Sequence, residues 1–318
     1  MLINVILLVV GFVILIKGAD WFVDGASAVA SNFKVSKMLI GLTIVAFGTS
    51  APEFAVSIKS LLSGSGDIVL GNVVGSNILN ILLILGIASM IHSLNVKNST
   101  VRKELPITLL ISTLLAVLLS DSIFDSSLSN TFSRGDGIAV LLFFMVFVYY
   151  LISMMRNKID EDQEEDKEMM KLPKAIIFTI IGIFCIVLGS NFVVDSASFI
   201  ANVLGVSERM IGLTIVAMGT SLPELVTSVI ATKKGEYDIA IGNVVGSNIF
   251  NIGIVIGLPV TLFGTIPNVT FNIVDLIVMI LSAFMLFIFS YNDNKIKRKE
   301  GFVFLLMFVI YYSYVIFG

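Results

Sequence analysis

Apolar residues along this chain fall in blocks of about 17–25, separated by short polar stretches, and a helix of that length crosses a bilayer. The pattern predicts ten spans, at about 3–30, 37–60, 67–90, 104–120, 135–155, 173–200, 208–232, 238–262, 271–290 and 301–317. Between the fifth and sixth lies the most polar stretch, with the acidic run IDEDQEEDKE. It divides the chain into a first five-helix half (1–155), an acidic linker (156–172) and a second five-helix half (173–318). The opening MLINVILLVVGFVILIKGADW has neither a basic leading region nor a small-residue cleavage site, and reads as a retained span rather than a signal peptide.

Composition agrees. The 318 residues are 57% hydrophobic and 14% charged, against about 25% charged in a soluble domain. The expected fold class is an all-α polytopic membrane protein. One cysteine, Cys185, excludes an internal disulfide and reads as a small buried hydrophobe. The net charge of −3 matters less than where the charges lie. Sixteen of the twenty Lys and Arg fall on one side of the ten-span topology, while Lys17, Lys59, Arg134 and Arg209 do not. Basic loops mark the cytoplasmic face, so in a cell membrane both termini are expected to be extracellular and the acidic linker cytoplasmic. The linker reads as a solvated connector, with a regulatory cation site as the alternative.

The chain also contains itself twice. Residues 41–86, GLTIVAFGTSAPEFAVSIKSLLSGSGDIVLGNVVGSNILNILLILG, align without a gap to 212–257, GLTIVAMGTSLPELVTSVIATKKGEYDIAIGNVVGSNIFNIGIVIG. Of the 46 aligned positions 26 are identical, and the offset is 171 residues throughout. Gly18, Asp24 and Ala26 match Gly189, Asp195 and Ala197 at the same offset. Five spans per half is an odd number, so the second half must enter the membrane upside down. Inverted halves are a transporter signature, with the substrate site at the midplane between them.

Each copy places one carboxylate, Glu53 or Glu224, beside a proline inside an apolar span. A charge at that depth costs about 2.5–3.5 kcal/mol on insertion scales, and no basic residue lies nearby in sequence. A cation is the natural compensation. Pro52 and Pro223 lack the N–H that would reach Gly48 and Gly219, so backbone oxygens from Ala46 to Thr49 and from Ala217 to Thr220 are expected to be freed as ligands. In the second motif Gly71 and Gly75 form a small-xxx-small pair for close helix packing. Asn72, Ser76 and Asn80 share one helical face, as do Asn243, Ser247 and Asn251. Asn72 and Asn243 could serve either as interhelical hydrogen-bonders or as ligands. The donor set is carboxylate, hydroxyl, amide and carbonyl oxygen, without Cys or His, which excludes a zinc or copper site and suits Ca²⁺. Two carboxylates balance one Ca²⁺ or the Na⁺ ions that replace it, and that competition is a route to exchange.

The paired GTSxPE and GNVVGSNIxN motifs resemble the cation/calcium exchanger superfamily, most of all its prokaryotic Na⁺/Ca²⁺ exchangers, over nearly the whole chain. The resemblance implies ten helices in two inverted five-helix repeats and alternating access, with Na⁺ entering as Ca²⁺ leaves. It implies Ca²⁺ ligation by Glu53 and Glu224 with backbone oxygens of Thr49 and Thr220. It implies Na⁺ sites that add Ala46, Ser50 and Ser76, and Ala217, Ser221 and Ser247, with Asn80 and Asn251 bordering the centre. Asn251 stands where K⁺-dependent relatives carry Asp, which argues against K⁺ co-transport; Asn251→Asp is expected to be mild. Gly75 and Gly246 stand where the H⁺/Ca²⁺ branch carries an acid, which favours Na⁺ coupling and leaves H⁺/Ca²⁺ antiport as the alternative. No Ca²⁺-sensing module comparable to the large cytoplasmic domains of animal exchangers is expected.

An enzyme would need a nucleophile–base pair, and a lone His92, read as interfacial, supplies none. A channel fits less well, since one glutamate per half makes no repeated ring. No cofactor, nucleic acid or obligate protein partner is implied; the partners are the two cations and the bilayer. Asp20 and Asp24, with Lys17 nearby, read as a polar cluster toward the outer surface, with a cation vestibule as the alternative.

Overall fold

The computed structural model describes residues 1–125, 127, 129–156, 170–205, 217–267, 269 and 272–317. The acidic run of the expected linker, Arg209 and the start of the seventh span lie outside them. The described chain is helical: α1 Leu2–Phe33, α2 Lys37–Thr49, α3 Ala51–Leu62, α4 Gly66–Ile91, α5 Asn98–Arg102, α6 Glu104–Leu118, α7 Asp121–Phe124, α8 Arg134–Arg156, α9 Leu172–Val203, α10 Ala217–Thr220, α11 Leu222–Lys233, α12 Tyr237–Phe263, α13 Ile273–Asp293 and α14 Arg298–Phe317. The sheet is two residues deep, β1 Leu94–Asn95 antiparallel to β2 Lys295–Ile296.

Seven helices (α1, α4, α8, α9, α12, α13, α14) are long and apolar enough to cross a membrane, and α2 with α3 forms an eighth candidate bent by 45°. Helix α6 has 15 residues, short for a span by itself. The bend has a local cause. Pro52 lies in the first turn of α3 and Pro223 in that of α11, where a missing N–H costs nothing. The preceding Ser50 and Ser221 leave the helical region in the same way, at φ −82°, ψ 6° and φ −89°, ψ 5°.

Helices α4 and α12 form the interior, with 72% and 89% of their central windows buried, against 22% for α1 and α8. Lipid-facing helices keep an exposed apolar surface; the two buried ones carry the Asn and Ser of the repeated motif. Both contain a π-helical stretch, Asn80–Leu85 and Asn251–Ile256, a wider turn that often accompanies functional sites. Gly242 and Gly246 let α12 lie directly on α2: a Cβ on Gly242 would stand 2.9 Å from Gly41 Cα, and one on Gly246 2.7 Å from Ala46 Cβ. For Gly71 and Gly75 no such neighbour occurs among the described residues; position 212, the counterpart of Gly41, lies outside them.

Helices α1 and α9 run antiparallel along their length on a seam of glycines. Cβ atoms on Gly11, Gly18 and Gly25 would meet α9 near Phe192, Cys185 and Thr179 in turn, and one on Gly189 would stand 2.6 Å from Leu15 N. Cys185 is partly rather than fully buried.

The loops gather at two ends. At one, β1 pairs β2, Lys37 pairs Glu236 (3.1 Å), Lys97 pairs Asp238 (2.9 Å), and exposed His92 stacks on Tyr237. Lys234 joins the same end by pairing both Asp20 (2.7 Å) and Asp24 (2.6 Å) of α1. This corrects the sequence reading: the aspartates face the lysine-rich end, because α1 continues well past them, and their partner is Lys234 rather than Lys17. At the other end Phe132 bridges Ile266. A second mirrored feature lies inside the bundle: Glu104 and Asp275, 171 residues apart, open α6 and α13 and accept hydrogen bonds from Tyr150 and Tyr311 of α8 and α14.

The seam sets a packing prediction. Gly189→Val is expected to force α1 and α9 apart and lower stability by about 1–3 kcal/mol, as overpacking does. Thermal unfolding of the purified protein in detergent would show it.

Candidate functional site

Where α2 breaks into α3, and α10 into α11, the two halves exchange side chains. Glu53 and Glu224 are each 1% exposed. Ser50 Oγ donates to Glu224 Oε1 at 3.0 Å, and Ser221 Oγ reaches Glu53 Oε1 at 3.4 Å. Ser247 Oγ lies 3.5 Å from Glu224 Oε1, and Ser76 Oγ lies within hydrogen-bond distance of Ser221 Oγ at 3.2 Å. Each serine next to one glutamate therefore serves the other.

Asn72 and Asn243 are straps. Asn243 Nδ2 donates to the Glu224 carbonyl (3.4 Å) and Ser228 Oγ (2.9 Å), while its oxygen accepts from Thr49 Oγ1 (2.9 Å). Asn72 does the same with the Glu53 carbonyl (3.2 Å), Ser57 (3.4 Å) and Thr220 (3.4 Å). Every one of these bonds becomes its counterpart when the two halves are exchanged. The alternative left open by the sequence closes on the hydrogen-bonding role, since both ends of each amide are engaged within the protein.

Deeper in, Asn80 Nδ2 donates to Asn248 Oδ1 (2.9 Å) and Asn251 Nδ2 to Asn77 Oδ1 (3.0 Å). Four buried oxygens of this site are then left without a hydrogen-bond partner among the described residues: Glu53 Oε2, Glu224 Oε2, Asn80 Oδ1 and Asn251 Oδ1. Buried polar atoms are normally paired, so four orphans contributed two by two from matching positions call for a ligand. No Lys, Arg or His forms an ion pair with either glutamate among the described residues. Nor do three or more His, Cys, Asp or Glu cluster there. The oxygens on offer are hard donors, suited to Ca²⁺ or an alkali cation.

The structure thus gathers Glu53, Glu224, Ser50, Ser76, Ser221, Ser247, Asn80 and Asn251. Thr49 and Thr220 join through their hydroxyls. The expected freeing of backbone oxygens holds only in part. Ala46 O accepts from Ser50 N (3.0 Å) and Thr49 Oγ1 (3.3 Å), and Gly219 O, released by Pro223, accepts from Ser190 Oγ (3.1 Å). A side chain from a neighbouring turn or helix takes what the proline releases. The side chain of Ala217 lies outside the described residues. Sequence reasoning missed Asn77, Asn248, Ser57 and Ser228; their identity across the 171-residue offset was the available signal.

A membrane-buried pair of carboxylates, mirrored between two matching sets of helices and ringed by neutral oxygens, defines a cation-handling transport protein. The comparisons narrow this. The chain belongs to the sodium/calcium exchanger protein family, whose model matches residues 3–153 and 174–317. It is 34% identical over 356 residues to sodium/calcium exchanger MaX1 of Methanosarcina acetivorans, covering 99% of both chains, and 38% identical over 267 residues to inner membrane protein YrbG of Escherichia coli, covering 81% of this chain and 80% of that one. Among solved structures it is similar to the sodium-calcium exchanger NCX_Mj soaked without Na⁺ and Ca²⁺, at a TM-score of 0.84 and 32% identity over 99% of each chain. The protein is a multi-pass membrane protein of the cation/Ca²⁺ antiport class, and its relatives are transporters rather than enzymes.

The straps are unequal, Asn243 being fully buried and Asn72 partly exposed. Asn243→Ala removes three buried hydrogen bonds and is expected to cost about 1–3 kcal/mol, more than Asn72→Ala, in denaturation melts of the two variants side by side.

Proposed function

We propose that this protein exchanges Na⁺ for Ca²⁺ across the cell membrane by alternating access, both ions competing for one site built on Glu53 and Glu224. The observation that carries the reading is the set of four orphan oxygens, two carboxylate and two amide, drawn equally from the two halves. Two carboxylates neutralise one Ca²⁺, or the monovalent ions that displace it, and holding both at once would overcharge a site with little water to screen it. The hydroxyls of Ser50, Ser76, Ser221 and Ser247 complete an oxygen-rich surround, with backbone oxygens of Thr49 and Thr220 for Ca²⁺ and of Ala46 and Ala217 for Na⁺.

In this reading the architecture is ten spans in two inverted halves. Helix α6 and the stretch through α10 and α11 supply the two spans beyond the eight candidates. The antiparallel α1–α9 pair fits inversion, because equivalent helices of opposed halves run in opposite directions. The lysine-rich end is cytoplasmic and both termini are outside. The glycine seam lets α1 and α9 shift along each other with little side-chain interlock, which is the motion alternating access needs.

Proteoliposomes loaded with Na⁺ are expected to accumulate Ca²⁺ only while the outward Na⁺ gradient lasts. Uptake indifferent to Na⁺ and abolished by a proton uncoupler would instead assign H⁺/Ca²⁺ antiport. Glu53→Gln and Glu224→Gln are each expected to lower Ca²⁺ transport by at least about 100-fold, the cost of removing half the compensating charge, in protein that still elutes as a single folded species.

A further inference from the structure

A backbone carbonyl can only accept a hydrogen bond, and two such carbonyls orient the centre of this protein. Asn77 Nδ2 donates to the Asn248 carbonyl at 3.2 Å, and Asn248 Nδ2 donates to the Asn77 carbonyl at 3.3 Å. With both nitrogens committed, the two side-chain oxygens must point the other way. There Asn77 Oδ1 accepts from Asn251 Nδ2 at 3.0 Å and Asn248 Oδ1 accepts from Asn80 Nδ2 at 2.9 Å. The second pair of asparagines has then spent its nitrogens in turn. Their Oδ1 atoms are left buried and without partners, on residues each 1% exposed. An amide free to turn over would present its nitrogen about as readily as its oxygen; here the chain of donors and acceptors leaves one orientation.

We propose that Asn77 and Asn248 are positioning residues: without touching the cation, they hold the amide oxygens of Asn80 and Asn251 toward it, each acting across the boundary between the halves. The inference rests on the cation site described under Proposed function and adds a selectivity element to it. A carboxylate at position 251 has no proton to give Asn77 Oδ1, so the ring selects an amide there. Asn251→Asp therefore sets two acceptors against each other and is harsher than the sequence indicates.

The test is Ca²⁺ binding by titration calorimetry on the purified full-length protein in detergent without Na⁺, with thermal unfolding in the absence of Ca²⁺ as a check on folding. Asn77→Ala and Asn251→Ala are each expected to weaken Ca²⁺ binding about tenfold, in the range typical of groups that orient metal ligands. The double variant should bind no more weakly than Asn251→Ala alone, because the first residue acts only through the second. Additive losses, or an Asn77→Ala that melts earlier but keeps its affinity, would overturn the proposal. Should Asn251→Ala and Glu53→Gln both leave the affinity unchanged, the site reading itself fails and the positioning role with it; should they weaken it while Asn77→Ala does not, only the positioning role fails. If Asn77→Ala does not fold, Asn248→Ala paired with Asn80→Ala reads the same coupling from the other half.

Discussion

Two carboxylates facing each other inside a membrane protein repel, and the low dielectric that surrounds them magnifies the repulsion. Glu53 and Glu224 are held there nonetheless, each with one oxygen on a serine from the opposite half and the other without a partner among the described residues. Among the described residues no basic side chain pairs with them; Lys37, Lys97 and Lys234, at the lysine-rich end, pair with Glu236, Asp238, Asp20 and Asp24. Much else in the fold keeps that arrangement in place: broken helices bring the glutamates to the centre, strap asparagines tie down their backbone, and glycines let the surrounding helices close.

Mirror exchange is what makes so polar a centre stable. Ser50 serves Glu224 while Ser221 serves Glu53, so each carboxylate leans on the opposite half, with Ser247 of its own half also beside Glu224. Thr49 on Asn243 and Thr220 on Asn72 repeat the logic one layer out, and the asparagine ring repeats it again. Each half is a set of unmet hydrogen bonds that the other completes. Separating them would leave a row of polar groups unpaired at a depth without water, which holds the halves together.

The duplicated motifs, the two glutamates and the face carrying Ser76 and Asn80 were legible because spacing alone displays them. A span announces itself by length, and a repeat by identity at a constant offset. What the sequence did not show depends on side-chain direction. Ser190, on a helix far off in the chain, caps the Gly219 carbonyl; nothing near Pro223 points to it. Asn72 and Asn77 look alike as letters, yet one straps a backbone and the other sits in a ring. Asp20 and Asp24 were assigned to the wrong end because the nearest lysine in sequence, Lys17, is not the nearest in space. The 15 residues of α6 show how a continuous apolar stretch shortens once helix ends are drawn in three dimensions.

The departures from the mirror carry the remaining information. Thr227 Oγ1 is a further buried orphan, one turn beyond Glu224, and its counterpart position holds Val56. Ser190 has Ala19 opposite it, and Lys234 has Ser63. Ion chemistry at the centre asks the same of both halves, so the central residues match; the two membrane faces meet different solutions and potentials, so the ends diverge. Lys234 bridging Asp20 and Asp24 ties α1 to the loop between α11 and α12 at the lysine-rich end, and Ser63 offers no such tie from the loop between α3 and α4. Partly exposed pairs of this kind contribute little stability. The centre is matched between the halves, and the ends are not.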